Sequence, residues 1–243
     1  MRALSASELL SVWERGLAQS PIERALTLLV AANPEAAPDD VARLSIGQRD
    51  AQLLALREWM FGSQLVSLAS CPSCGEQLEL AFDVSDIRAG QTHQGQALST
   101  SVAGYEVDVR LPNSLDLAAI AGHSSIDARR LLFDRCVVRV QHEGADAPLE
   151  RLPDDVKTAI SEQMALADPQ ADVELALTCP ACSHQWQATF DIAAFFWSEI
   201  NAWAIRLLRE VHALASAYGW READIVALSP MRRQLYLDMI GRF

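Results

Sequence analysis

The chain has 243 residues, half of them hydrophobic and 21% charged, enough to bury a sizeable core without staples. Its formal net charge of −12 at pH 7 argues against a phosphate-binding surface as its main business. Nothing reads as a signal peptide, and of the two most hydrophobic stretches 25–32 is too short to span a bilayer and 193–208 is broken by Glu199, Asn201 and Arg206. The sequence therefore predicts a cytoplasmic protein with no membrane partner.

Taken in chain order, the first elements are helical. Ser5 or Ser7 caps a helix to about residue 18, and Ser20 with Pro21 opens another to about residue 32. Residues 33–40 carry two prolines and a polar cluster and read as a loop. A third helix is expected over about 46–60, with Leu53, Leu54, Leu56 and Trp59 as its apolar stripe and Gly62 as its stop. Residues 77–84 and 105–111 alternate like strands, and 89–101, rich in Gly, Gln, Ser and Thr, reads as an exposed loop. Helices follow at about 115–121 and 126–137, then a turn-rich connection at 141–148 and a helix opened by Pro153. Residues 185–192 form another short strand. A long aromatic helix runs over about 192–218, Gly219 stops it, and Ser229 with Pro230 starts the last helix.

One internal repeat stands out. CPSCGEQLELAFD at residues 71–83 and CPACSHQWQATFD at 179–191 align without a gap at a constant offset of 108. Each copy is a Cys-x-x-Cys knuckle followed by a strand that ends in Phe-Asp. Structural Zn²⁺ takes four tetrahedral ligands, often thiolates at this spacing, because a two-residue gap lets both sulfurs reach one ion. Cys71, Cys74, Cys179 and Cys182 are therefore the expected ligands of one structural Zn²⁺, held by the two halves of a zinc ribbon. The 104 residues between them, 75–178, form a long insertion whose ends must lie close together. Gly75 supplies an easy left-handed residue after the first knuckle, and Ser183 stands in the matching place of the second.

The competing readings are weaker. A redox pair needs one Cys-x-x-Cys on a thioredoxin-like βαβ pattern, which is absent, and paired Cys-Pro-x-Cys hairpins favour zinc over an iron–sulfur cluster. His184 can replace a thiolate but reads as an exposed knuckle residue, and Cys136 reads as a buried core thiol. Four thiolates close the metal's shell, leaving no open position for chemistry. Asp83 and Asp191 end matching strands as turn caps, and His93, His123, His142 and His212 are scattered. No catalytic residue is assigned, and no enzyme activity is expected. A zinc-ribbon nucleic-acid-binding or regulatory protein is the alternative, but the knuckle strands carry Glu76 and Glu79 and no base.

The C-terminal region concentrates aromatic side chains. Most of that apolar surface should pack on the chain's own core. Its breadth also allows a protein contact, for which Phe196, Trp197, Trp203, Trp220, Arg232, Arg233 and Tyr236 are the candidate residues.

LLALREWMFG at residues 53–62, the knuckle at 71–76 and YGWREADIVALSPMRRQLY at 218–236 together resemble a known group. Its members are zinc-ribbon proteins encoded in bacterial clusters for contractile phage tails and phage-tail-like injection systems. The group is similar to the baseplate hub assembly chaperones of T-even-type phages. The resemblance implies a non-enzymatic assembly factor or structural component of a baseplate, whose partners are baseplate or hub proteins.

The fold class expected is α+β, predominantly α-helical, with a split four-cysteine zinc ribbon interrupted by a long insertion. The expected organisation is a helical region at 1–70, the split ribbon with its α/β insertion at 71–192, and an aromatic helical region at 193–243 packing with the N-terminal helices.

Overall fold

The computed structural model describes residues 1–90 and 98–241. The chain is α+β and divides into two compact units, Met1–Glu35 with Ile192–Phe243, and Ala36–Asp191. Among the described residues, no helix is long and apolar enough to cross a membrane.

Four helices open the chain: α1 (Ala6–Gly16), α2 (Pro21–Ala32), α3 (Pro38–Arg43) and α4 (Ile46–Phe61). Three of them start with a capping box, in which a serine accepts from the third helical N–H and that residue's side chain returns to the serine N–H. The pairs are Ser5 with Glu8, Ser20 with Glu23 and Ser45 with Gln48. Helix α3 lies partly in the stretch read as loop. Pro38 at its first position and Asp39 and Asp40 in its first turn favour a helix start there. On α4 the stripe Leu53, Leu54 and Leu56 is buried, whereas Trp59 is exposed and Arg49, Asp50 and Arg57 are buried instead. Gly62, at φ +90°, ends the helix.

Unit Ala36–Asp191 continues with an antiparallel hairpin, β1 (Gln64–Ser70) and β2 (Gln77–Asp83), and the single turn α5 (Val84–Ile87). The sequence pattern misses β1 because its half-buried face carries Ser67 and Ala69, while Val66 and Leu68 point to solvent. Next come β3 (Leu98–Val102), β4 (Tyr105–Val109), α6 (Ser114–Ile120), α7 (Ser125–Cys136), β5 (Val137–His142) and β6 (Ala145–Asp146). The expected loop at 89–101 is thus strand from Leu98 onward; residues 91–97, with His93, lie outside the described residues. The turn-rich connection narrows to Glu143 and Gly144, both at positive φ, which joins β5 to β6 as a tight hairpin.

These four strands form one antiparallel sheet in the order β3-β4-β5-β6. Helix α8 (Asp154–Ala167) packs on it: Val107, Val109 and Val140 of the sheet bury against Val156 and Ile160. A second antiparallel hairpin, β7 (Glu174–Thr178) and β8 (Gln185–Thr189), closes the unit. Between α8 and β7 the chain is pinned by two buried polar side chains. Asp168 accepts the Gly47 N–H at 2.9 Å, at the electropositive start of α4, and a Cβ on Gly47 would meet that carboxylate at 2.0 Å. Gln170 accepts from the Ala89 N–H at 2.8 Å and donates to the Ile87 carbonyl at 3.2 Å.

The other unit combines α1 and α2 with α9 (Ile192–Tyr218), α10 (Glu222–Ala227) and α11 (Pro230–Ile240). Gly219 ends α9 at φ +68°, and Ser229 caps α11. Helix α10 was not foreshadowed, because its six residues are too few for periodicity to show. Leu10, Ala204, Leu207, Val211, Leu214, Ile225 and Val226 form one core cluster of this unit, and Leu28, Leu29, Phe196 and Ile200 are buried in the unit as well. At one end α1 and α9 meet through a glycine: the Trp197 ring lies where a Cβ on Gly16 would stand, 2.1 Å from its nearest atom. The Arg24 guanidinium covers the same ring at 4.7 Å and donates to the Gly16 carbonyl at 2.8 Å.

Gly16→Ala is therefore expected to push Trp197 out of its seat and cost about 1–3 kcal/mol, the usual penalty of overpacking. Chemical denaturation of the variant checks this, and an unchanged midpoint would show that α1 and α9 separate without strain.

Candidate metal centre

Each cysteine pair sits on the turn of a hairpin, and the two turns are built alike. In the first, the Cys71 N–H donates to the Glu76 carbonyl at 2.8 Å and the Gly75 N–H to the Cys71 carbonyl at 2.9 Å. In the second, the Cys179 N–H donates to the His184 carbonyl at 2.9 Å and the Ser183 N–H to the Cys179 carbonyl at 2.9 Å. The fifth residue of each turn must be left-handed to close it: Gly75 has φ +77° and Ser183 φ +60°. Serine accepts the strain that glycine avoids, so the second knuckle keeps the same geometry at a small cost.

The two turns face each other. Cys71 Sγ lies 3.7 Å from Cys182 Sγ, and Cys74 Sγ lies 3.6 Å from Cys179 Sγ. All four sulfurs fall within 4.8 Å of one another. A tetrahedral Zn²⁺ with bonds of about 2.3 Å sets its sulfurs ~3.8 Å apart, so the cluster can hold that ion with little movement. Cys71 and Cys179, the first of each pair, are buried; Cys74 and Cys182 are exposed. Behind the knuckles Phe82 and Phe190, matched by the repeat, meet edge to face at 5.6 Å.

The thiols share protons unevenly. Burial works against ionising Cys71, but the N–H groups of Cys74 and Ser73 and the Cys182 thiol outweigh it and lower its pKa to about 7. The Glu76 N–H favours the Cys74 thiolate, yet donation to Cys182 and Cys179 holds the proton and lifts that thiol to about 12. A metal ion must expel such protons, so its binding is coupled to pH.

Other candidates fall into structural places. His184 is not one of the converging group; its ring stacks on Trp186 at 6.0 Å. Cys136 is buried, and burial pushes its thiol up to about 11, which keeps it protonated and unreactive. Asp83 accepts from the Ser63 hydroxyl at 2.8 Å and caps α5, a turn-cap role. Sequence reasoning missed a buried polar layer on α4, where Arg49 donates to Asp50 at 2.7 Å. Burial raises the Asp50 pKa, Arg49 opposes it, and the nearby Asp191 and Asp168 add to it. The signal available was an adjacent charge pair in an otherwise apolar helix.

The seven aromatic and basic candidates of the C-terminal region are spread through their unit. Phe196 is buried, as is Arg233, whose Nε donates to Glu210 at 2.7 Å. Trp197 is the ring beneath Arg24, and Trp203 packs on the core. Trp220 and Tyr236 join Tyr218 in an aromatic cluster, with Trp220 stacked on Tyr218 at 4.7 Å. Arg232 is exposed. The apolar side chains that α11 leaves in solvent are Met231, Leu235 and Met239.

A family model described as "T4 bacteriophage base plate protein" matches residues 17–197. The match takes in both cysteine pairs and everything between them, and it ends within α9. No curated protein and no solved structure matches the chain.

Two outcomes follow for the cysteine cluster. Zn²⁺ titration of the purified chain is expected to saturate at one ion per molecule, and Cys179→Ser to lower that affinity at least ~10-fold by removing one of four thiolates. Because protons compete for the sulfurs and the Cys74 thiol holds its proton up to about 12, apparent affinity should fall with pH throughout the neutral range, and more steeply below about 7, where the Cys71 thiol is protonated as well. A competition assay with a chromophoric chelator reads both, and a flat pH profile would mean the ion is held elsewhere.

Proposed function

The chain belongs to the T4 bacteriophage base plate protein family, and from that premise we propose that it is a non-enzymatic assembly factor or structural component of a contractile, phage-tail-like baseplate. The observation that carries this reading is the family match over about three quarters of the chain. Its partners are baseplate or hub proteins, reached through protein contacts in the cytoplasm or on the particle.

In this reading Cys71, Cys74, Cys179 and Cys182 hold one structural Zn²⁺ as a split zinc ribbon. The spacing of the sulfurs and the twin hairpin turns support that assignment. Four thiolates fill the ion's coordination shell, which supports a structural rather than a catalytic metal. The ion staples the ends of residues 75–178 and so holds the sheet, α7 and α8 as a fixed platform.

Deleting the gene from a host that makes such particles is expected to abolish complete baseplates, seen by electron microscopy of purified particles. Wild-type protein should restore them, and Cys71→Ser should restore them poorly. Mass spectrometry of the particles separates a permanent subunit, which is present, from a transient chaperone, which is missing. Normal particles in normal yield without the gene would overturn the proposal.

A further inference from the structure

Helix α7 is poorly covered. Of its described residues Cys136 alone is buried, and Ile126 near its start is 83% exposed. Across from it, α8 buries Val156 and Ile160 on the sheet and leaves its other side open, ending in Leu166 at 81% exposure. Between the two helices runs a half-open groove of about 1940 Å³. Small-molecule sites occupy about 300–1,000 Å³, so this is a space of macromolecular size. On the α8 wall Thr158, Ser161 and Ala165 recur at helical spacing and leave a shallow surface that a helix can approach closely. On the α7 wall Ile126 and Phe133 lie two turns apart as apolar anchors.

The charges decide the occupant. Lys157 is engaged with Asp154 at 3.1 Å, which leaves the exposed Asp134, Glu150, Glu162, Asp172 and Glu174 along the groove against Arg129 and Arg130. The excess is acidic, and it would meet a second copy of a chain with net charge −12 unfavourably. We infer that the groove between α7 and α8 docks an amphipathic helix of another protein, with an apolar stripe flanked by lysine or arginine. The mode is helix-in-groove: the stripe covers Ile126, Phe133 and Leu166, and the basic flank meets Glu162 and its neighbours. The inference rests on the reading that the chain works through protein contacts, and is independent of which machine it serves.

The probe is a fluorescein-labelled synthetic peptide of about five helical turns, with leucines in one stripe and lysines on its flanks, titrated into the full-length zinc-loaded chain. Its twin carries glutamate in place of each lysine. Anisotropy should show the lysine peptide binding at least ~10-fold tighter than the twin, with affinity falling as salt rises. Ile126→Asp and Leu166→Asp should each weaken it ~10-fold or more. Glu162→Arg should narrow the gap between the peptides, and Met231→Asp on α11 should change nothing. All these positions are exposed, so the variants are expected to fold, and circular dichroism is the check. Equal affinity for the two peptides, no binding, or indifference to the groove variants would overturn the inference. So would a dimer, seen by sedimentation, that Ile126→Asp splits, since the occupant would then be a second copy. None of these results bears on whether particles form without the gene, so failure here and failure of the baseplate reading are separately visible.

Discussion

Residues 75–178 leave the chain at one hairpin turn and return to it at another, and the unit that contains them depends on those two turns meeting. The meeting is made by four sulfurs in two pairs at 3.6 and 3.7 Å, backed by Phe82 against Phe190. Closing a loop of about a hundred residues in the unfolded chain is worth roughly 4–5 kcal/mol when a cross-link does it. A metal ion shared by both knuckles would act as such a link. Two small two-stranded hairpins with half-buried faces have little stability of their own, so such a link would matter to them.

The rest of that unit reinforces the same closure from the other side. Asp168 and Gln170 reach back from the segment before β7 to the start of α4 and the chain after α5, so the returning strand is fixed by buried hydrogen bonds as well as by sulfur. Gly47 is needed because the Asp168 carboxylate occupies the place of its Cβ. These contacts are polar and local, and they set position more than they add stability. A platform fixed at its base in this way can present α7 and α8 outward, which is how a scaffold comes to carry an open groove rather than a closed core.

Function came from two sources of unequal reach. The cysteine spacing speaks to a metal and nothing more, because a filled tetrahedral shell performs no chemistry on a substrate. The family match speaks to the machine and is silent on the step. Between them lies the surface, and there the aromatic residues of the C-terminal region mostly serve their own unit. Phe196 and Arg233 are interior, and Trp197 is occupied by Arg24.

Features that depend on neighbours along the chain were legible from residue order alone. Serine caps at 5, 20 and 229, glycine stops at 62 and 219, and the 108-residue repeat with its four cysteines all follow from local geometry. Tertiary structure decided what depends on partners distant in the chain. Strand β1 exists because β2 pairs with it, although Ser67 and Ala69 make its pattern faint. Strand β5 takes over where α7 ends because β4 offers it an edge. Which arginines are buried, which tryptophans are covered and where a groove stays open were settled by packing. Burial is a property of the assembled surface, and no window of sequence contains it.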